Sequence, residues 1–306
     1  MSKLWLSTLR EIKETLGRYI ALLMIIALGV GFFAGLKVTD PAMRSSMYEY
    51  LTDKNFFDFR LISSLGFEKE DIYYLQTNID EKVVEPSISF DIVTNVDEAT
   101  YVMKVISIPE KINQIEITAG AAPEKNNECL VDTKLFDESF IGKKIKLSDT
   151  NEKDDLEHFK YSEYTITGLV KSPLYIQYER GTTNLGTGVL DGFIYINQAG
   201  FDVDYYTDCY VKLDYSPDLY SDEYDEVIAK KKVSIQQLLD KVAEDRYERI
   251  VGEANDKLED AIQELSDKKA DGQQELDDAK QELDDAKRSL MSQRRLLQIM
   301  KHKRLS

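Results

Sequence analysis

The stretch YIALLMIIALGVGFFAGL, residues Tyr19–Leu36, is an uncharged run of 18 residues in a chain of 306 of which 31% are charged. Eighteen apolar residues are the length that crosses a bilayer as a helix. The chain therefore reads as a large polar body carried on one transmembrane helix, residues 19–36.

The flanks of the run set its direction. Lys3, Arg10, Lys13 and Arg18 precede it, while Lys37 and Arg44 follow it. The excess of basic residues before the span predicts a cytoplasmic N-terminus. The chain is expected in the cytoplasmic membrane as a single-pass protein, with everything after residue 37 extracytoplasmic. A cleavable signal peptide is the competing reading. Its apolar core is normally shorter and is followed by an A-x-A-like site. No such site follows Leu36, so an uncleaved anchor is expected. Leu4, Trp5, Leu9, Ile12 and Leu16 recur at helical spacing among charges. Residues 1–18 thus read as an amphipathic helix along the inner membrane face; the other reading is a charged leader that only orients the span. Gly31 and Gly35 have the small-xxx-small spacing that lets a second helix approach closely, although glycine is common in membrane helices anyway.

The formal net charge is −17, which argues against nucleic acid as a partner, since such proteins carry a basic stripe. Residues 45–220 hold short runs of strand character separated by turn formers. Strands are expected at Asp58–Ser63, Val83–Ser89, Ser89–Val96, Tyr101–Ile108, Ile112–Thr118, Cys129–Asp132, Gly142–Leu147, Tyr164–Val170, Gly192–Ile196 and Thr207–Leu213. Short helices are expected at Glu68–Thr77 and, after Asp132, through Phe136. Gly120–Asn127, Asn151–Glu157 and Lys171–Asp191 read as loops. The sum is an α+β domain large enough to bury its own core. Cys129 and Cys209 lie 80 positions apart and are either two core thiols or a disulfide.

From residue 222 to 301 the composition changes. Gln274–Lys280, QELDDAK, is repeated at once as Gln281–Lys287. Leu276, Leu283 and Leu290 recur every seven residues with Ala279 and Ala286 between them, and Leu258 and Leu265 keep the same step upstream. This is a coiled-coil seam, with a stutter of eleven residues between Leu265 and Leu276. Its partner is either the same chain, folded back near Gly272, or another copy; a solvated single helix is the remaining reading. Residues 302–306 form a basic tail.

No catalytic motif stands out: there is no H-E-x-x-H, C-x-x-C or G-x-S-x-G. Gly181–Gly188, GTTNLGTG, lacks the G-K-[ST] of a phosphate loop. Asp154-Asp155, Asp277-Asp278 and Asp284-Asp285 lack the ligand spacing of a calcium loop, and His158 reads as a lone surface histidine. No cofactor, no metal and no enzyme activity are expected.

Four stretches resemble the N-terminal part of FtsX/MacB-type ABC transporter permeases. Leu9–Leu36, LREIKETLGRYIALLMIIALGVGFFAGL, is similar to that family's amphipathic helix, Arg and glycine-ended first span. Asp58–Asp71, DFRLISSLGFEKED, resembles the start of the MacB-like extracytoplasmic core domain. Gly120–Asp132, GAAPEKNNECLVD, is similar to its G-x-x-P…E turn and strand. Thr165–Ile196 contains the most specific stretch, SPLYIQYERGTTNLGTG. The resemblance covers residues 1 to about 220, and the coiled coil resembles a helical insertion of a Gram-positive subgroup.

The resemblance implies a permease that does no chemistry itself. A separate cytoplasmic ABC ATPase would drive it, feeling the face Leu9, Ile12 and Leu16 and passing movement outward by mechanotransmission. The end result would be export of a peptide or lipid, or control of a cell-envelope partner. Family members carry further spans after the outer domain, and here no second apolar run follows. Either this is the N-terminal part of a longer permease, or further transmembrane segments or a permease copy come from another polypeptide. The alternatives are an anchored structural or interaction protein with a coiled-coil stalk and no ATPase, and a membrane-tethered enzyme.

Overall fold

The computed structural model describes residues 10, 11, 13, 15–79, 83–214 and 221–304. Leu4, Trp5, Leu9 and Ile12 lie outside the described residues. The chain divides into two units, residues 1–239 and residues 240–306.

Helix α1, Leu16–Asp53, contains the apolar run and continues 17 residues past Leu36, with Pro41 inside it. None of its residues is buried. It is the one helix among the described residues long and apolar enough to cross a membrane. Its stretch Tyr19–Leu36 is apolar and exposed on every side, as a segment covered by lipid or by other helices would be.

Ten strands follow. β1 (Phe59–Phe67), β10 (Tyr206–Lys212) and β2 (Val83–Ser87) make an antiparallel sheet in the order β1-β10-β2. Helix α2, Lys69–Asn78, packs against this sheet. Its start is closed by Asp71, whose Oδ2 accepts the Glu68 N–H at 2.8 Å, a reciprocal contact typical of a helix N-terminus.

The larger sheet joins β3 (Ser89–Val96), β4 (Ala99–Ser107), β5 (Glu116–Gly120), β6 (Glu128–Asp132), β7 (Lys144–Leu147), β8 (Glu163–Lys171) and β9 (Gly192–Ile196). Its order is β5-β8-β6-β9-β4-β3-β7, and β7 also pairs with β8. Six strands thus close into a ring. β7 takes the first half of β8, at Glu163–Thr165, and β5 takes the second half, at Gly168–Lys171. The β4–β9 and β6–β8 pairs are parallel and the rest antiparallel.

Side-chain alternation sorts the core. Met103, Val105, Cys129, Val131, Ile194 and Ile196 share one buried cluster, while Ile106, Leu130, Phe193 and Tyr195 belong to a second. The central strands are covered on both faces, which is why they read as unbroken apolar runs rather than alternating ones.

Several expectations are corrected. The strand expected at Ile112–Thr118 begins only at Glu116 and ends at Gly120. Before it, the Ile112 N–H is taken by the Glu85 carboxylate, and Asn113 sits at φ +58°. The segment after Asp132 is a turn, not a helix, because Asp132 Oδ1 accepts the Lys134 N–H at 2.9 Å. The charged loop at Asn151–Glu157 contains a helical turn, α3, Lys153–Glu157. Of the two readings left open for Cys129 and Cys209, the structure has the core thiols: both are free and buried, on β6 and β10, in different sheets. The last helix, α4, runs without a break over Asp222–Arg304, so the chain does not fold back near Gly272.

Candidate functional site

Two places on the body border α1, the first through polar contacts and the second through a shared apolar cleft. The first is the stretch that leaves the helix. Asn55 adopts φ +48°, a left-handed conformation that asparagine tolerates better than most residues, and it turns the chain out of α1. Residues 54–57 are then tied to residues 111–114. Gln114 donates its N–H to the Lys54 carbonyl at 2.8 Å, and Asn113 donates its own to the Asn55 carbonyl at 3.1 Å. The Asn55 side-chain amide donates to the Lys111 carbonyl at 2.6 Å, and Phe57 donates its N–H to Asn113 Oδ1 at 3.2 Å. The receiving loop is itself fixed by Glu85 on β2. Its carboxylate accepts the N–H groups of Glu110, Lys111 and Ile112 at 2.7, 2.8 and 2.7 Å.

Asp58 completes this junction. Its side chain is almost fully buried, at 3% exposed. Oδ2 accepts the Leu213 N–H at 2.9 Å and meets Lys212 Nζ at 3.1 Å, while Oδ1 accepts the Tyr224 hydroxyl at 3.2 Å. One carboxylate therefore holds the exit of α1, the end of β10 and the first turn of α4. Burial, with the neighbouring Asp58 charge added to it, pushes the Tyr224 hydroxyl up to about 12. At Lys54, burial favours the neutral amine, but the contacts to Asp53 and Glu116 outweigh it and hold the pKa above the ordinary lysine value. A cleft of about 830 Å³ opens beside these groups, lined by Tyr48, Phe56, Asp58, Lys212 and Tyr224 among others.

The second place is the loop after β8. Ser172 Oγ accepts the Leu174 N–H at 3.2 Å, which starts a 3-10 turn over Pro173–Tyr175. The Tyr175 ring stacks on Phe193 with centroids 4.6 Å apart. Arg180 closes the loop. Its Nε and Nη2 reach Asp132 Oδ2 and Oδ1 at 2.7 and 3.0 Å, and Nη1 donates to the carbonyls of Tyr175 and Gln177. A buried forked pair of this kind fixes geometry on both sides. It leaves the loop tip exposed: Ile176 is 48% and Tyr178 80% exposed, with Lys134 Nζ over the Tyr178 ring at 4.4 Å. Ile176 shares an open apolar cleft of about 680 Å³ with Val38, Met43, Met47 and Tyr50 of α1.

These arrangements tie the end of α1 to the folded body and fix the loop beside it. Among the described residues, no group of three or more His, Cys, Asp or Glu is placed to hold a metal. His158 stacks on Phe90 at 4.1 Å. Burial pushes the Cys209 thiol up to about 12 and Cys129 higher still, so both remain unreactive thiols.

Of the residues singled out from sequence, Leu16 is exposed, and a Cβ added at Gly31 or Gly35 meets nothing within 4 Å. Leu258, Leu265, Leu276, Leu283 and Leu290 lie in the second unit and are 57–70% exposed. The residues that build the junction were not singled out. Asp58 opens DFRLISSLGFEKED, Asp132 closes GAAPEKNNECLVD, and Arg180 lies in SPLYIQYERG. The available signal was an acid at the end of a buried strand, with a lone Arg in a turn-rich loop.

No family model and no curated protein matches the chain. Among solved structures, it is similar to the extracellular domain of the noncanonic ABC-type transporter YknZ from Gram-positive bacteria. The identity is 14%, over 54% of this chain and 80% of that one, at a TM-score of 0.34. It is also similar to the periplasmic region of MacB from Actinobacillus actinomycetemcomitans. There the identity is 13%, over 57% of this chain and 75% of that one, at a TM-score of 0.32.

Proposed function

We propose that the chain is a membrane-anchored permease subunit of an ABC transporter, or the N-terminal part of one. In this reading residues 19–36 cross the cytoplasmic membrane once and residues 1–18 line its inner face. The domain at residues 45–220 and the coiled coil at 222–301 then face outward. A separate cytoplasmic ABC ATPase engages Leu9, Ile12 and Leu16. Further transmembrane helices pack on the face of Gly31 and Gly35. The chain transmits movement and performs no reaction, serving export of a peptide or lipid or control of an envelope partner.

The observation that carries this reading is the continuity of α1. One helix holds the apolar run and extends 17 residues beyond it, and its end is bonded to the body through Asn55, Asn113 and Asp58. Movement of such a helix reaches the outer domain without a flexible linker in between.

The test is affinity purification of the full chain from native membranes, with mass spectrometry and ATP hydrolysis measured on the eluate. An ABC ATPase should co-elute with the wild type and be lost when Leu9, Ile12 and Leu16 are all replaced by Asp. Equal recovery from both, or no ATPase from either, refutes the proposal. In the second case the anchored interaction protein is the better reading, which the exposed leucines of residues 258–290 favour.

A further inference from the structure

From the pattern of exposed groups on α4 we infer that a second copy of this chain covers the leucine seam, forming a parallel, in-register, two-chain coiled coil. This does not depend on the transporter reading.

Leu276, Leu283, Leu290 and Leu297 keep a seven-residue step, and each is 57–60% exposed. Ala279 and Ala286 lie three residues after the first two leucines. Leucine and alanine therefore occupy the two core positions, a and d, of these two heptads. An exposed stripe so narrow does not stabilise a single long helix in water. The stripe asks for another helix, and the small alanines allow it to come close.

The charges flanking the stripe decide which helix. Leu276 and Leu283 are each preceded by an acid, Glu275 and Glu282, and followed four residues later by a base, Lys280 and Lys287. These are the g and e positions that border the seam. In a parallel pair in register, g of one helix faces e of the next heptad on the other. Glu275 then meets Lys280 of the second copy, and Glu282 meets its Lys287, with the same two contacts repeated by symmetry. In an antiparallel pair, e faces e, and Lys280 is set against Lys287. Like charges there oppose association. Within their own helix, Lys280 reaches Asp277 at 3.4 Å and Lys287 reaches Asp284 at 3.7 Å. Both are long, exposed contacts of the kind worth little, so neither lysine is withheld from a partner. A fold-back of the same helix is not open at Gly272, where α4 continues unbroken.

The test uses the full chain in detergent micelles. Leu276→Cys and Leu290→Cys are made separately and oxidised. Cys129 and Cys209 are fully buried and do not compete. Parallel, in-register pairing predicts a covalent dimer at both positions. An antiparallel pair has one axis and gives a dimer at no more than one of them. Adding Glu275→Lys with Glu282→Lys should cut the yield at least five-fold. Mixing those copies with copies carrying Lys280→Glu and Lys287→Glu should restore it, as a heterodimer distinguished by tag length. Sedimentation of the wild type should give two chains per particle. A monomer, a cross-link at one position only, or indifference to the charge exchange each overturns the inference.

Discussion

Arg180 and Asp132 are 48 positions apart in sequence, yet the guanidinium of one forks onto the carboxylate of the other at 2.7 and 3.0 Å. The carboxylate is 1% exposed and the guanidinium side chain 10%. The pair joins the end of β6 to the loop whose tip lies beside α1.

Breaking that pair leaves a buried charge without its partner. Asp132→Asn is expected to destabilise the body by about 3 kcal/mol, within the 3–5 kcal/mol typical of such losses. Replacing both residues with apolar ones, as Asp132→Leu with Arg180→Met, should cost less than either single change. Urea unfolding of Asp132→Leu, Arg180→Met and the double variant checks the order, and that of Asp132→Asn the size.

The Tyr224–Asp58 contact predicts a pH dependence. The Tyr224 hydroxyl has its pKa raised from 10.0 to about 12 in the folded chain. Its contribution to stability is complete below pH 10 and is lost as pH rises through 12, because the unfolded state releases the proton first. Other buried tyrosines add to the same fall. The difference between wild type and Tyr224→Phe isolates this one, and should shrink between pH 9 and pH 12 in denaturant titrations. A constant difference would show that the hydroxyl is not held by Asp58.

Asn113 serves two needs at once, a left-handed backbone at φ +58° and an acceptor for the Phe57 N–H. Asn113→Ala removes the acceptor and strains the turn, at a cost of about 2 kcal/mol. Hydrogen exchange at the Phe57 amide should speed up more than exchange in the strands of the larger sheet. Uniform acceleration would mean that the junction is not a local unit.

Two glycines should respond in opposite directions. Gly120 has φ +79°, and a Cβ there would lie 2.2 Å from the Thr167 carbonyl oxygen. Gly120→Ala is expected to cost about 3 kcal/mol or more, through strain and clash together. Gly272 is helical, with open space around it. Gly272→Ala should favour the helix by about 1 kcal/mol, read as a higher melting temperature of the far-UV helical signal. A loss of helix on that change would revive a bend at residue 272.

Much of the fold is local in origin and so was legible. Gly192–Ile196 reads as a core strand because every side chain in it is apolar, and it is buried throughout. Lys69–Asn78 announces itself through acids in its first turn. Ile112–Thr118 misled because alternation extends two ways. Half of it belongs to a strand, and the other half is bent by Asn113 and captured by Glu85. The short α3 was missed for a related reason: a charged stretch without apolar period gives no helical signal, although Glu152 to Glu157 completes a turn.

Sequence by itself determined that one stretch, Tyr19–Leu36, is apolar on all sides, that the central strands are buried and that a seven-residue leucine step runs along the last helix. Each of these is written in the period of side chains along a short stretch. Only the tertiary structure decided that β7 returns to β8 to close the ring, that Asp58 gathers α1, β10 and α4, and that Arg180 selects Asp132. Those choices join residues far apart in the chain, and distant partners are set by how layers pack in space rather than by any spacing along the backbone.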